Sequence, residues 1–227
     1  MTARVVAVSG TGTNVGKTHV ACAVTALLAE AGPACGVKPY ESGHAGPLGA
    51  DQAALAAAST HTASALGFAL RCFPLPVAPP AAARAAGAQV DVDAFVHRFQ
   101  ELRASYTGTL VLELAGGLFS PFDDARANAE VLAALAPEVH LLVAPNRLGV
   151  LHDVRATWLA ALGCGLRFAA LVLSHPPGAG DDPSCASNAE ALASFTGAPP
   201  LVVPRGTVAE ATAALRGAPA FAARPRR

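Results

Sequence analysis

An α/β fold, with a mostly parallel central sheet flanked by helices, is predicted by three observations on this 227-residue chain. Apolar runs of strand length recur at Val5–Val8, Ala34–Val37, Thr109–Leu114, Val139–Ala144, Ala169–Leu173 and Leu201–Val203, and most are separated by helix-length segments. That order is the βαβ rhythm of a parallel sheet. The runs are continuous rather than alternating, as expected of strands covered on both faces. The first run leads directly into Gly10-Thr11-Gly12-Thr13-Asn14-Val15-Gly16-Lys17-Thr18, a G-x-x-x-x-G-K-T loop between a strand and a helix. This is the setting in which a glycine-rich loop holds phosphate, so the expected fold is a single-domain P-loop nucleoside triphosphatase-like one.

Each element has a local reason. After Val5–Val8 and the loop, Lys17–Ala31 is a helix-compatible stretch, and Ala34–Val37 returns to the sheet. Further helices are predicted at Gln52–Ala58, Val92–Ser105, Asn128–Leu135, Leu151–Leu162, Ala186–Phe195 and Val208–Leu215, alternating with the later strands. Pro79-Pro80 opens a short helix through Ala85, which Gly87 stops. The chain is expected to be one domain over 1–217, with 218–227, rich in Pro, Ala and Arg, as a fraying tail.

Composition narrows the partners. Sixteen basic residues balance sixteen acidic ones, so bulk charge favours neither nucleic acid nor an anionic membrane, and a small-molecule substrate is the better expectation. No uninterrupted apolar stretch reaches the roughly 18 residues that would span a bilayer. The N-terminus enters a strand and the loop almost at once, which leaves no signal peptide to expect. Five cysteines (Cys22, Cys35, Cys72, Cys164, Cys185) without C-x-x-C spacing fit reduced thiols in a cytoplasmic protein.

In an open parallel sheet, ligands sit beyond the carboxyl ends of the strands. Backbone N–H groups of the loop converge on phosphate oxygens, Lys17 reaches the β and γ phosphates, and the Thr18 hydroxyl ligates Mg²⁺. Lys38 ends the second strand and, with Lys17, makes up all the lysine of an otherwise arginine-based chain. A retained lysine points to a need for a compact ammonium, able to neutralise charge on a transferring phosphoryl group or an anionic substrate. Glu113 closes the run Leu110-Val111-Leu112, where an isolated carboxylate is costly unless it is paired or bound to metal. Asp51 is a second metal candidate and equally a candidate N-cap for the helix that follows. Ala115-Gly116-Gly117 either lets backbone amides approach an anion or forms a tight turn.

Together these motifs resemble the dethiobiotin synthetase family in order along most of the chain. Residues 10–18 resemble its G-T-x-T-x-V-G-K-T, Lys38-Pro39 with Ser42-Gly43 its K-P-x-x-[ST]-G, and Val111–Gly117 its V-x-E-G-A-G-G. Pro76–Ala83 is similar to a Pro-rich turn before a short helix, and Leu148-Gly149-Val150-Leu151-His152 to L-G-x-x-N-H. The resemblance implies Gly12, Thr13, Asn14, Val15, Gly16, Lys17, Thr18 and Ser174 as nucleotide contacts, with Thr18, Asp51 and Glu113 around Mg²⁺. It implies Thr13, Lys38 and Ser42 on a diamine substrate, and Lys38, Lys17 and Thr13 as the catalytic set. Gly149, Val150 and His152 would hold the substrate's carboxylate from the partner subunit of a homodimer. The implied reaction is ATP-dependent carboxylation and ring closure of 7,8-diaminononanoate with CO₂ to dethiobiotin, a step of biotin biosynthesis catalysed by a ligase forming carbon–nitrogen bonds. Leu114 replaces a family glycine, His152 an asparagine, and Ser174-His175 the Asn-Asp pair whose Asn reads the base; ATP is the expected nucleotide. The alternatives are a switch-type P-loop ATPase acting on a protein partner, against which the missing early signature lysine counts, and a degenerate nucleotide-binding relative.

Overall fold

The computed structural model describes residues 2–175, 182–204 and 206–221. Strands are β1 (Arg4–Gly10), β2 (Ala34–Val37), β3 (Tyr40–Ser42), β4 (Arg71–Phe73), β5 (Thr109–Glu113), β6 (Val139–Pro145), β7 (Ala170–Ser174) and β8 (Leu201–Val203). Helices are α1 (Lys17–Ala29), α2 (Ala50–Ala58), α3 (Pro79–Ala85), α4 (Val92–Ser105), α5 (Asn128–Leu135), α6 (Val150–Gly163), α7 (Cys185–Thr196) and α8 (Val208–Leu215). The six predicted runs form one parallel sheet in the order β2-β5-β1-β6-β7-β8. The chain first builds to one side of β1 and then crosses to β6, so the ends of β1, β2 and β5 open onto a common cleft.

Alternate residues of the strands feed opposite faces, which is why the runs have no polar side. Val5, Ala7, Leu110 and Leu112 pack with Phe95, Phe99 and Leu102 of α4 and Leu132 and Leu135 of α5. Val6, Val8, Val111, Leu141 and Val143 pack on the other face with Val20 and Val24 of α1 and Ala211 and Leu215 of α8. The carboxyl ends of the strands are thereby clamped between two apolar layers.

The structure differs from expectation in several places. A two-stranded parallel sheet, β3 with β4, stands apart from the main one. β5 stops at Glu113, and Leu114 turns into the core at 3% exposure, so its bulk lies away from the metal-ligand candidate. Helix α2 begins at Ala50 with Gly49 as its cap, so Asp51 stands in the first turn and is not the N-cap. Of the tail expected to fray, Pro219–Phe221 forms a 3-10 turn packed on the second core layer; 222–227 lie outside the described residues. Among the described residues no helix is long and apolar enough to cross a membrane, and all five cysteines are free thiols.

One buried group makes the fold acid-sensitive. His140 of β6 is 4% exposed, holds the Ser9 hydroxyl at 2.8 Å through Nε2, and has burial pushing its pKa down to about 4. An unfolded histidine titrates near 6.5, so the unfolded chain takes the proton first. Stability from keeping His140 neutral is therefore complete above about pH 6.5 and lost progressively towards pH 4, on the order of 3 kcal/mol in all. We expect His140→Gln to flatten the fall in melting temperature between pH 7 and pH 4.5. An unchanged slope in that variant would remove His140 as its source.

Candidate active site

The loop of residues 11–16 joins β1 to α1 and lines a cleft of about 850 Å³. Asn14 (φ 58) and Gly16 (φ 92) take the left-handed conformation that turns successive N–H groups inward. Asparagine tolerates this better than most residues, and glycine pays no Cβ penalty. A Cβ on Gly16 would run into the Ser174 side chain, with the Ser174 Cβ at 2.8 Å. Ser174 thus lies against the loop at 1% exposure and supports it, with no partner among the described residues for its Oγ. Behind Gly12, Gly117 approaches so closely that a Cβ there would stand 3.2 Å from the Gly12 Cα, and the Leu118 N–H donates to the Gly10 carbonyl.

Four charged side chains converge at the cleft floor. Lys17 donates to the Gly12 carbonyl at 2.7 Å, and Thr18 Oγ1 donates to Glu113 Oε1 at 2.9 Å. Lys38 Nζ bridges Glu113 Oε1, at 2.8 Å, and the Asp51 carboxylate. Burial lowers Lys38, but the Glu113 and Asp51 carboxylates outweigh it and hold the ammonium above the ordinary lysine value. Lys17 shifts the other way, lowered by burial in spite of Glu113, with Lys38 adding to the fall. Glu113 is fully buried, and no partner among the described residues reaches its Oε2; the same is true of Ser42 Oγ on the cleft wall.

These groups fit a magnesium ion. Mg²⁺ is usually held by one or two carboxylates together with phosphate oxygens and water, not by an all-protein cage. Thr18, Asp51 and Glu113 supply a hydroxyl and two carboxylates, one with an unpartnered buried oxygen. Among the described residues no three His, Cys, Asp or Glu side chains group closely enough to hold a metal by themselves.

The cleft brings together Thr13, Asn14, Gly16, Lys17, Thr18, Lys38, Ser42, Asp51 and Glu113 of the residues predicted for it. It also contains Glu41, Ser120 and Pro76–Pro79, which carried no assigned role in the sequence. Gly149, Val150 and His152 lie elsewhere, at the start of α6. Val150 is wholly buried with Leu142 and Val154, so its side chain is closed to substrate, whereas His152 and the 75%-exposed Leu148 face outward. Next to Ser174, His175 is fixed by a chain of hydrogen bonds. Asn188 Nδ2 donates to the Arg147 carbonyl and to Asn146 Oδ1, which turns Asn146 Nδ2 towards the Cys185 carbonyl and His175 Nε2, the latter at 2.7 Å.

A parallel sheet, a phosphate loop and a lysine–carboxylate cluster at the ends of β1, β2 and β5 define a P-loop nucleotide-binding protein. A family model described as "AAA domain" matches residues 4–207. The chain is 37% identical to the ATP-dependent dethiobiotin synthetase BioD of Caulobacter sp. (strain K31), over 88% of this chain and 87% of that one. It is 38% identical to the protein of the same name from Anaeromyxobacter dehalogenans (strain 2CP-C), over 86% and 87% respectively. The chain belongs to the dethiobiotin synthetase family. Among solved structures, the MinC:MinD cell division protein complex of Aquifex aeolicus superposes with a TM-score of 0.53 at 13% identity, over 93% of this chain and 86% of that one, a likeness of fold alone.

Proposed function

We propose that the protein is an ATP-dependent ligase of biotin biosynthesis, converting 7,8-diaminononanoate, CO₂ and ATP into dethiobiotin, ADP and phosphate. The observation that carries this reading is the Lys38 ammonium, poised between Glu113 and Asp51 in the cleft that also holds Lys17, Thr13 and Ser42. One amine adds to CO₂ and loses a proton to give a carbamate. A carbamate oxygen attacks the γ-phosphorus as ADP leaves, and the second amine attacks the carbonyl carbon as phosphate leaves, giving up a proton to solvent and forming the carbon–nitrogen bond that closes the ring.

Each step develops negative charge that positioned cations and amides stabilise, without a protein nucleophile. Lys38 faces the carbamate and the phosphorylated intermediate, Lys17 and the loop amides hold the β and γ phosphates, and Thr13 and Ser42 orient the diamine. Mg²⁺, held by Thr18, Asp51 and Glu113, would neutralise phosphate charge when bound. The base lies beyond the ends of β6 and β7, where His175 and not Ser174 is the accessible polar group. The turn at Gly149 and His152 lies outside the cleft of its own chain, and this reading gives it to the partner's site in a homodimer, as the family resemblance implies. Cytoplasmic residence follows from the same reading.

Purified protein mixed with Mg-ATP, bicarbonate and 7,8-diaminononanoate is expected to give the mass of dethiobiotin, with phosphate release that depends on the diamine. Phosphate release indifferent to the diamine, with no product, would refute the ligase and favour a switch ATPase.

A further inference from the structure

Helix α2 starts without a side-chain cap of its own. Gly49 is its N-cap and has no side chain to accept the first N–H groups, although the reciprocal half of a cap is present: Gln52 Oε1 accepts the Gly49 N–H at 3.1 Å. The missing half comes from another element. Glu41, in the middle of β3, accepts the Asp51 N–H through Oε1 at 3.1 Å and the Gln52 N–H through Oε2 at 3.0 Å. These are the second and third helical N–H groups that a local Ser, Thr or Asp normally serves. The Glu41 carboxyl group also occupies the space in which a Cβ on Gly49 would stand, so a glycine cap and a glutamate eight residues earlier go together. Gln52 Nε2 completes the tie by donating to the carbonyls of Lys38 and Arg71.

We propose that Glu41 is a positioning residue, which caps α2 from β3 and so joins the strand carrying Ser42 to the helix carrying Asp51 as one unit. The proposal rests on the reading above, in which Ser42 faces the diamine and Asp51 the cation. Glu41 itself then touches neither reacting group. It sets where the Asp51 carboxylate stands relative to Lys38 and Glu113, and residues that orient metal ligands in this way are typically worth about 10–100-fold in metal affinity.

The test is a swap of the cap between elements, with Mn²⁺ binding in the presence of ADP followed by electron paramagnetic resonance, alongside melting temperature and turnover. Glu41→Ala is expected to weaken Mn²⁺ about 10–100-fold and to raise the Mg²⁺ needed for half-maximal turnover, with kcat largely recovered at saturating Mg²⁺. Gly49→Ser alone is expected to impair the protein, because the new side chain meets Glu41. The double variant Glu41→Ala/Gly49→Ser is expected to bind Mn²⁺ and melt closer to wild type than either single variant. If Glu41→Ala melts lower but binds Mn²⁺ normally, Glu41 is a structural cap only and the proposal fails. If Gly49→Ser has the same effect with and without Glu41, the shared cap fails. A wild-type protein that neither binds Mn²⁺ with ADP nor makes dethiobiotin would overturn the reading of the site and the proposal with it, whereas normal wild-type behaviour with an unaffected Glu41→Ala overturns the proposal alone.

Discussion

Replacing Lys38 by alanine is expected to lower dethiobiotin formation by at least about 10²–10³-fold, the usual effect of removing one preorganised charge from a transition state. The chain should still fold. Removing one member of a buried ion pair generally costs about 3–5 kcal/mol, because the other charge is left stranded. Here Thr18 still donates to Glu113, and the Asp51 side chain, 40% exposed, recovers water directly, so the melting temperature should fall while the circular dichroism of the fold persists. Lys38→Arg should restore much of that stability but little turnover, since a planar fork does not replace a point-like ammonium between two carboxylates. Turnover by mass spectrometry and thermal melts on the same preparations separate the two effects. Near-normal turnover in Lys38→Ala would remove Lys38 from the chemistry.

Gly16→Ala is expected to weaken nucleotide binding by about 100-fold or more, measured with a fluorescent ATP analogue. Two costs act together. The backbone at φ 92 carries a left-handed penalty of about 1–2 kcal/mol for any residue with a Cβ. The new methyl also collides with Ser174, which cannot retreat because it is buried at 1% exposure. Adding Ser174→Gly removes the collision but not the backbone penalty, so binding should recover in part. Unchanged affinity in Gly16→Ala would show that the loop reshapes freely, contrary to its tight packing.

The main sheet was legible because its central strands β5, β1 and β6 are buried on both faces, which leaves continuous apolar runs in the sequence. β3 and β4 were not, because Tyr40-Glu41-Ser42 and Arg71-Cys72-Phe73 are too short and mixed to have a period, and their pairing closes across a long segment. At the site, inspection of the strand ends found Lys38 and Glu113, since a charge that ends an apolar run stands out. Glu41 stayed hidden: its partners are backbone N–H groups ten and eleven residues away, which leave no mark on residue type. The one local sign was a glycine where a helix start usually carries Ser, Thr or Asp. Ser174 and Val150 rest on the family resemblance alone, and both side chains are buried.

The backing of the phosphate loop has a consequence for how the protein works through many cycles. Thr11 is tied to the Val143 carbonyl, Leu118 to Gly10, and Gly117 fills the space behind Gly12, so the loop is braced by β6 and by the loop that follows β5. The entropy of arranging its N–H groups is lost once, when the chain folds, and is not charged again each time a nucleotide arrives. Each nucleotide then meets a template already in shape.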